Sequence, residues 1–77
     1  SMSAPAGSGD PGAVLDVRAA VARLPERQRR ALILRYFADL PVAETATVMG
    51  CPEGTIKTLT FQAIATLRRA GLEVTDA

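Results

Sequence analysis

The sequence predicts an all-α fold: a small four-helix domain ending in a helix-turn-helix. Three observations carry that prediction. Apolar residues recur at helical spacing in four segments, with no period-two alternation between them. Proline or glycine punctuates each boundary between the segments. Gly50 and Cys51 are nearly all that separates the third segment from the fourth, the tight glycine turn of a helix-turn-helix.

Residues 1–12, SMSAPAGSGDPG, are rich in Gly, Pro, Ser and Ala and read as a flexible linker, with Ser1 left by cloning. The folded unit is expected over 13–71 and a short tail over 72–77. The first helix, about Ala13 to Leu24, places Val14, Val17, Val21 and Leu24 on one stripe. Pro25 suits the first position of the second helix, where its missing N–H costs nothing, and Asp39, Leu40 and Pro41 end that helix near Ala38. Ala31, Leu32, Ile33, Leu34, Tyr36, Phe37 and Ala38 project all round its second half, so it is expected to be covered on several sides. That cover is either the rest of the domain, with this helix at the centre, or in part another protein. The third helix, Val42 to Met49, stops at Gly50, and the fourth runs from Pro52 to about Ala70 with Gly71 beyond it.

On the fourth helix, Ile56, Thr60, Ala63, Leu67 and Ala70, flanked by Leu59 and Ile64, form the core side. The opposite side carries Gly54, Lys57, Thr58, Phe61, Gln62 and Ala65, then Arg68 and Arg69. Small residues at Gly54 and Thr55 let a phosphate approach the helix N-terminus, and Lys57, Thr58 and Gln62 can donate to phosphates or base edges. Phe61 on that side either meets a thymine methyl or partner surface, or folds back on a neighbouring helix. Arg27, Arg29 and Arg30 make a basic cluster that could touch DNA backbone or simply be solvated.

Composition excludes much else. The 77 residues hold nine basic and eight acidic side chains, no histidine and one cysteine. Between Ala13 and Gly71, nine basic residues face only Asp16, Glu26, Asp39, Glu44 and Glu53, a balance that suits a weak nucleic-acid binder. Without histidine, and with Cys51 alone, neither a His/Cys metal site nor a Ser-His or Cys-His nucleophile can be assembled, so no enzyme, metal or cofactor is expected. One cysteine allows no internal disulfide, which fits a cytoplasmic setting. No apolar run approaches the roughly 18 to 20 residues of a membrane span.

The run LPERQRRALILRYFADLPVAETATVMGCPEGTIKTL resembles region 4 of sigma-70 family RNA polymerase sigma factors of the extracytoplasmic-function type. The shared features are LPERQR, LRYF, Glu44, MGCPEGT at the turn and Ile-Lys-Thr opening the last helix, and the likeness extends from about Leu24 to Leu67. The resemblance implies a domain that reads the −35 promoter element and docks on the β-flap of RNA polymerase, with an anti-sigma protein covering the same surfaces. By position it puts Arg29, Arg30, Glu53, Gly54, Thr55, Lys57, Thr58, Phe61 and Gln62 in the DNA-facing set. The apolar side of the second and third helices, Ile33, Tyr36, Phe37, Leu40 and Val42, would meet polymerase or anti-sigma.

Departures from that pattern are specific. Leu59 and Gln62 stand where relatives carry arginines, and each lost arginine removes a phosphate contact or a guanine reader. Thr45 replaces an aliphatic residue and weakens the core unless its hydroxyl finds a partner; Pro41 replaces a capping serine. Two other readings compete: a LuxR-type regulator output domain, whose sequences share an EGT-[VI]-K-T motif, and a sigma4-like protein-interaction module with reduced DNA binding, which Leu59, Phe61 and Gln62 keep open.

Overall fold

A computed structural model describes residues 11–72, with side chains from Val17 onward. Of the linker expected over 1–12 and the tail expected over 72–77, residues 1–10 and 73–77 lie outside the described residues, as does the side chain of Val14, while Pro11 and Gly12 belong to the first helix instead. Among the described residues the chain forms α1 (Pro11–Ala22), α2 (Glu26–Leu32), a π-helical turn (Ile33–Phe37) that continues α2, α3 (Val42–Met49) and α4 (Glu53–Arg69), with no strand.

The boundaries follow from the punctuation. Pro25, at φ −54° and ψ 147°, breaks away from α1 in extended backbone, and its carbonyl then accepts from the Arg29 N–H to start α2. Pro41 and Pro52, both extended, precede α3 and α4 in the same way, without a side-chain cap. Gly50 (φ 69°) and Gly71 (φ 91°) adopt the left-handed conformation that closes a Schellman motif. Around Gly50, its N–H donates to Thr47 O and the Cys51 N–H donates to Ala46 O. Around Gly71, its N–H donates to Arg68 O and the Leu72 N–H to Leu67 O. The residue after each glycine then packs inward: Cys51 against the cluster around Ile56, and Leu72 against the cluster around Leu67. Leu72, expected in the tail, therefore belongs to the fold.

The π-helical turn departs from the regular helix expected over 26–38. Its widened ladder carries the Ala38 N–H to Ile33 O and is closed by the Leu40 N–H on Leu34 O, with Asp39 left-handed at φ 60°. The Arg35 guanidinium reinforces the exit, donating to Leu40 O at 2.6 Å and lying 5.4 Å from the centre of the Tyr36 ring.

Two apolar clusters hold the elements together. Val21, Leu24, Leu32, Ala63, Ile64 and Leu67 join α1, α2 and the C-terminal half of α4. Ala31, Ala46, Ile56 and Leu59 join α2, α3 and the N-terminal half of α4. The predicted core side of α4 is buried from Ile56 to Leu67, but Ala70 is exposed, because it caps the helix end. Thr45 is fully buried and its hydroxyl donates to Pro41 O at 3.0 Å, so the polar replacement is satisfied inside the helix. Thr60 is satisfied likewise by Ile56 O and Lys57 O.

Candidate nucleic-acid interface

Burying Ile56, Leu59, Thr60, Ala63, Ile64 and Leu67 fixes the rotation of α4 about its axis. Gly54, Lys57, Thr58, Phe61 and Gln62, at positions i, i+3, i+4, i+7 and i+8, are consequently all exposed along the opposite stripe. Glu53 is exposed at the first turn and Thr55 is half-buried beside it. Seven of the nine residues in the expected DNA-facing set thus sit on the first two and a half turns of one helix.

Chemistry varies along the stripe. At its start no side chain caps the α4 amides, and a Cβ built on Gly54 would meet nothing within 4 Å. Internal packing does not call for glycine there. Lys57 supplies a point charge one turn later, and Thr58 a hydroxyl. Phe61 does not fold back: it is 73% exposed and, with Tyr36 and Val42 opposite, lines an open groove between α4 and the π-helical turn. Gln62 flanks the stripe on its other side, where its Oε1 accepts from Gln28 Nε2 at 3.3 Å.

The arginines of α2 divide. The Arg29 guanidinium donates to the carbonyls of Ala22 (3.4 Å) and Leu24 (3.2 Å), so it caps the end of α1. Arg30 is exposed, but it lies about 200° around α2 from Gln28, which touches Gln62 of α4. Neither is brought to the α4 stripe. Arg27, exposed one turn ahead of Ala31, shares the side of α2 that packs on the helix-turn-helix. It was visible in the sequence as part of the basic cluster, whereas the partnership of Gln28 with Gln62, 34 residues away, left no local signal.

A second surface is apolar and adjoins the groove that Tyr36 and Val42 share with Lys57 and Phe61. Ile33, Tyr36 and Phe37 are exposed, Phe37 to 67%, while Leu40 and Val42 are half-buried and Val42 packs against the Ile56 cluster. Of the two covers expected for the second helix, the rest of the domain supplies it at Ala31 and Leu32, partly at Leu34, and not at Ile33, Tyr36 and Phe37. Phe37 and Ile33 instead form one wall of an apolar cleft whose other wall is Val17, Val21 and Ala22 of α1.

A tight left-handed turn, a buried rear face and an outward stripe of donors define a DNA-binding domain of the helix-turn-helix class. Residues 15–67 match the family described as sigma-70, region 4, and the chain belongs to that family. It is 52% identical over 50 residues to the ECF RNA polymerase sigma factor BldN of Streptomyces coelicolor, a stretch covering 65% of this chain and 19% of that protein. It is 41% identical over 54 residues to the RNA polymerase sigma-H factor of Pseudomonas aeruginosa, covering 70% of this chain and 28% of that one. Among solved structures, a chain in the 1.8 Å RsbN–BldN complex superposes with a TM-score of 0.67 at 48% identity, over 78% of this chain and 41% of that chain. The chain thus spans between 19% and 28% of the curated sigma factors it matches. Among the described residues no helix is long and apolar enough to cross a membrane.

Proposed function

We propose that this chain is the promoter-reading and polymerase-docking domain of an alternative sigma factor, acting in the cytoplasm on the −35 element. The observation that supports this best is the exposed stripe Gly54, Lys57, Thr58, Phe61 and Gln62, which has the width and chemistry to enter a major groove. In this reading the uncapped amides at the start of α4 and Lys57 hold phosphates, and Thr58, Gln62 and Glu53 address base edges. Phe61 covers a thymine methyl or an apolar patch of partner. Arg27 supports the backbone contacts from α2, in place of Arg29 and Arg30. The domain does no chemistry of its own.

The exposed apolar residues of the π-helical turn, Ile33, Tyr36 and Phe37, support a protein-docking role for the second surface. RNA polymerase β-flap is the partner proposed there, with an anti-sigma protein competing for it; the relative BldN was solved in complex with RsbN. The membership of the sigma-70 region 4 family disfavours the LuxR-type alternative.

The test is the salt dependence of duplex binding, followed by fluorescence anisotropy. Lys57→Ala should weaken binding to every sequence and lower the magnitude of the log–log salt slope by about 1. An unchanged slope would remove Lys57 from the interface.

A further inference from the structure

A groove of about 520 Å³ runs between α4 and the π-helical turn. Its apolar lining is Phe61 and Ile64 on the α4 wall, with Tyr36 of the turn and Val42 of α3 facing them. Its charges are Arg35, Lys57, Arg68 and Arg69, and among the described residues no acidic side chain lines it. Arg35 donates to Leu40 O and lies over the Tyr36 ring, and Arg69 donates to Thr66 Oγ1, so both meet neutral partners that leave their charge uncompensated. A duplex seated on the α4 stripe would account for Lys57, but not for Tyr36, which lies on another element. An occupant that suits the whole groove is apolar along one face and anionic along its edges.

We propose that this groove docks an acidic amphipathic segment of another protein, and that its occupancy excludes duplex DNA. Exclusion follows from two shared residues. Lys57 and Phe61, one turn apart on α4, line the groove and also belong to the outward stripe. A carboxylate on Lys57 takes the charge that a phosphate would use, and an apolar side chain against Phe61 covers the ring that would enter the major groove. This coupling rests on the DNA-reading role proposed for the stripe, and it is reciprocal: the duplex weakens the segment by the factor by which the segment weakens the duplex. The cleft between α1 and the π-helical turn differs, because Val17, Val21, Ile33 and Phe37 line it and it shares no residue with the groove or the stripe. A partner there can be held together with DNA. The apolar surface of the π-helical turn is thereby divided, with Ile33 and Phe37 serving a site compatible with promoter binding and Tyr36 serving one that is not.

Short random peptides displayed on phage, selected on the immobilised 77-residue chain, provide the probe. Enriched sequences are synthesised, then followed by fluorescence anisotropy and by competition with duplex of pooled sequence at low salt. The expected peptides combine Asp or Glu with Leu, Ile or Phe at helical spacing, shift the amides of Tyr36, Val42 and Phe61, and are displaced by duplex. Tyr36→Ala should weaken them about tenfold or more, whereas Phe37→Ala should change their affinity less than about twofold. Both side chains are exposed, and thermal melting checks that each variant folds. No enrichment, neutral or basic peptides, or peptides sensitive to Phe37→Ala and not to Tyr36→Ala overturn the docking site. Peptides that stay bound alongside duplex overturn the exclusion and leave the DNA-reading role intact. A chain that binds the peptides and no duplex overturns the DNA-reading role, and the exclusion with it. Occupation of the groove by a second copy, or by residues 73–77, also overturns the proposal; it is read as peptide affinity that rises on dilution of the chain or on neutralising Glu73 and Asp76.

Discussion

Ala31 and Leu32 are neighbours on α2 and pack into different cores: Ala31 with Ala46, Ile56 and Leu59, and Leu32 with Val21, Leu24, Ile64 and Leu67. A helix of seven residues thereby couples α1 at one side to the helix-turn-helix at the other. The orientation of α4, and so of its outward stripe, depends on both cores.

Ile56 is the largest fully buried side chain of the helix-turn-helix core. Ile56→Ala should cost about 2–5 kcal/mol through lost burial and a residual cavity. Because α2 is shared, unfolding in urea should remain a single transition in the variant, with the midpoint lowered. A cost under about 1 kcal/mol would mean that this core is loosely packed.

Gly54 sits within the first turn of α4 over open space. Gly54→Ala should therefore stabilise the domain, by about 0.5–1 kcal/mol from helix propensity, while weakening duplex binding by crowding the backbone at the phosphate. Opposite signs in the two measurements are the signature. A variant gaining stability with unchanged affinity would show that no ligand closes on this turn.

Arg29 and Lys57 are both cations of the domain, with different work assigned to them. Arg29→Ala should lower stability by about 0.5–1.5 kcal/mol, since its guanidinium caps the Ala22 and Leu24 carbonyls, and should leave the salt slope of DNA binding unaltered. A slope reduced by about 1 in this variant would return Arg29 to the interface.

Phe61 contributes little to either core. Phe61→Ala should change stability by no more than about 0.5 kcal/mol, while reducing affinity for duplex DNA or for the protein partner. Thermal melting together with anisotropy checks it, and a large fall in melting temperature would make Phe61 a packing residue.

Much of this arrangement was legible in the sequence because it depends on local rules. Gly50 and Gly71 announce left-handed helix ends, and the burial of α4 follows from a 100° rotation per residue. Other features were not legible. The π-helical turn arises from a competition between the α2 ladder and the closing bonds at Ala38 and Leu40, and the apolar residues over Ile33–Phe37 fit a regular helix equally well. Arg29 and Arg30 are adjacent in a basic run, and only the position of the α1 carbonyls shows that one of them serves as a cap. The pairing of Gln28 with Gln62 depends on how α2 crosses α4, which no spacing rule encodes.

The most direct measurement is amide chemical-shift mapping of the chain while short duplex DNA of pooled sequence is titrated at low salt. The account predicts perturbations concentrated from Gly54 to Ala65, strongest at Gly54, Lys57, Thr58 and Gln62, with Ile33 and Phe37, which line the cleft against α1, unaffected. A folded domain in which α4 stays silent, or in which shifts gather at Ile33 to Phe37 instead, would contradict it.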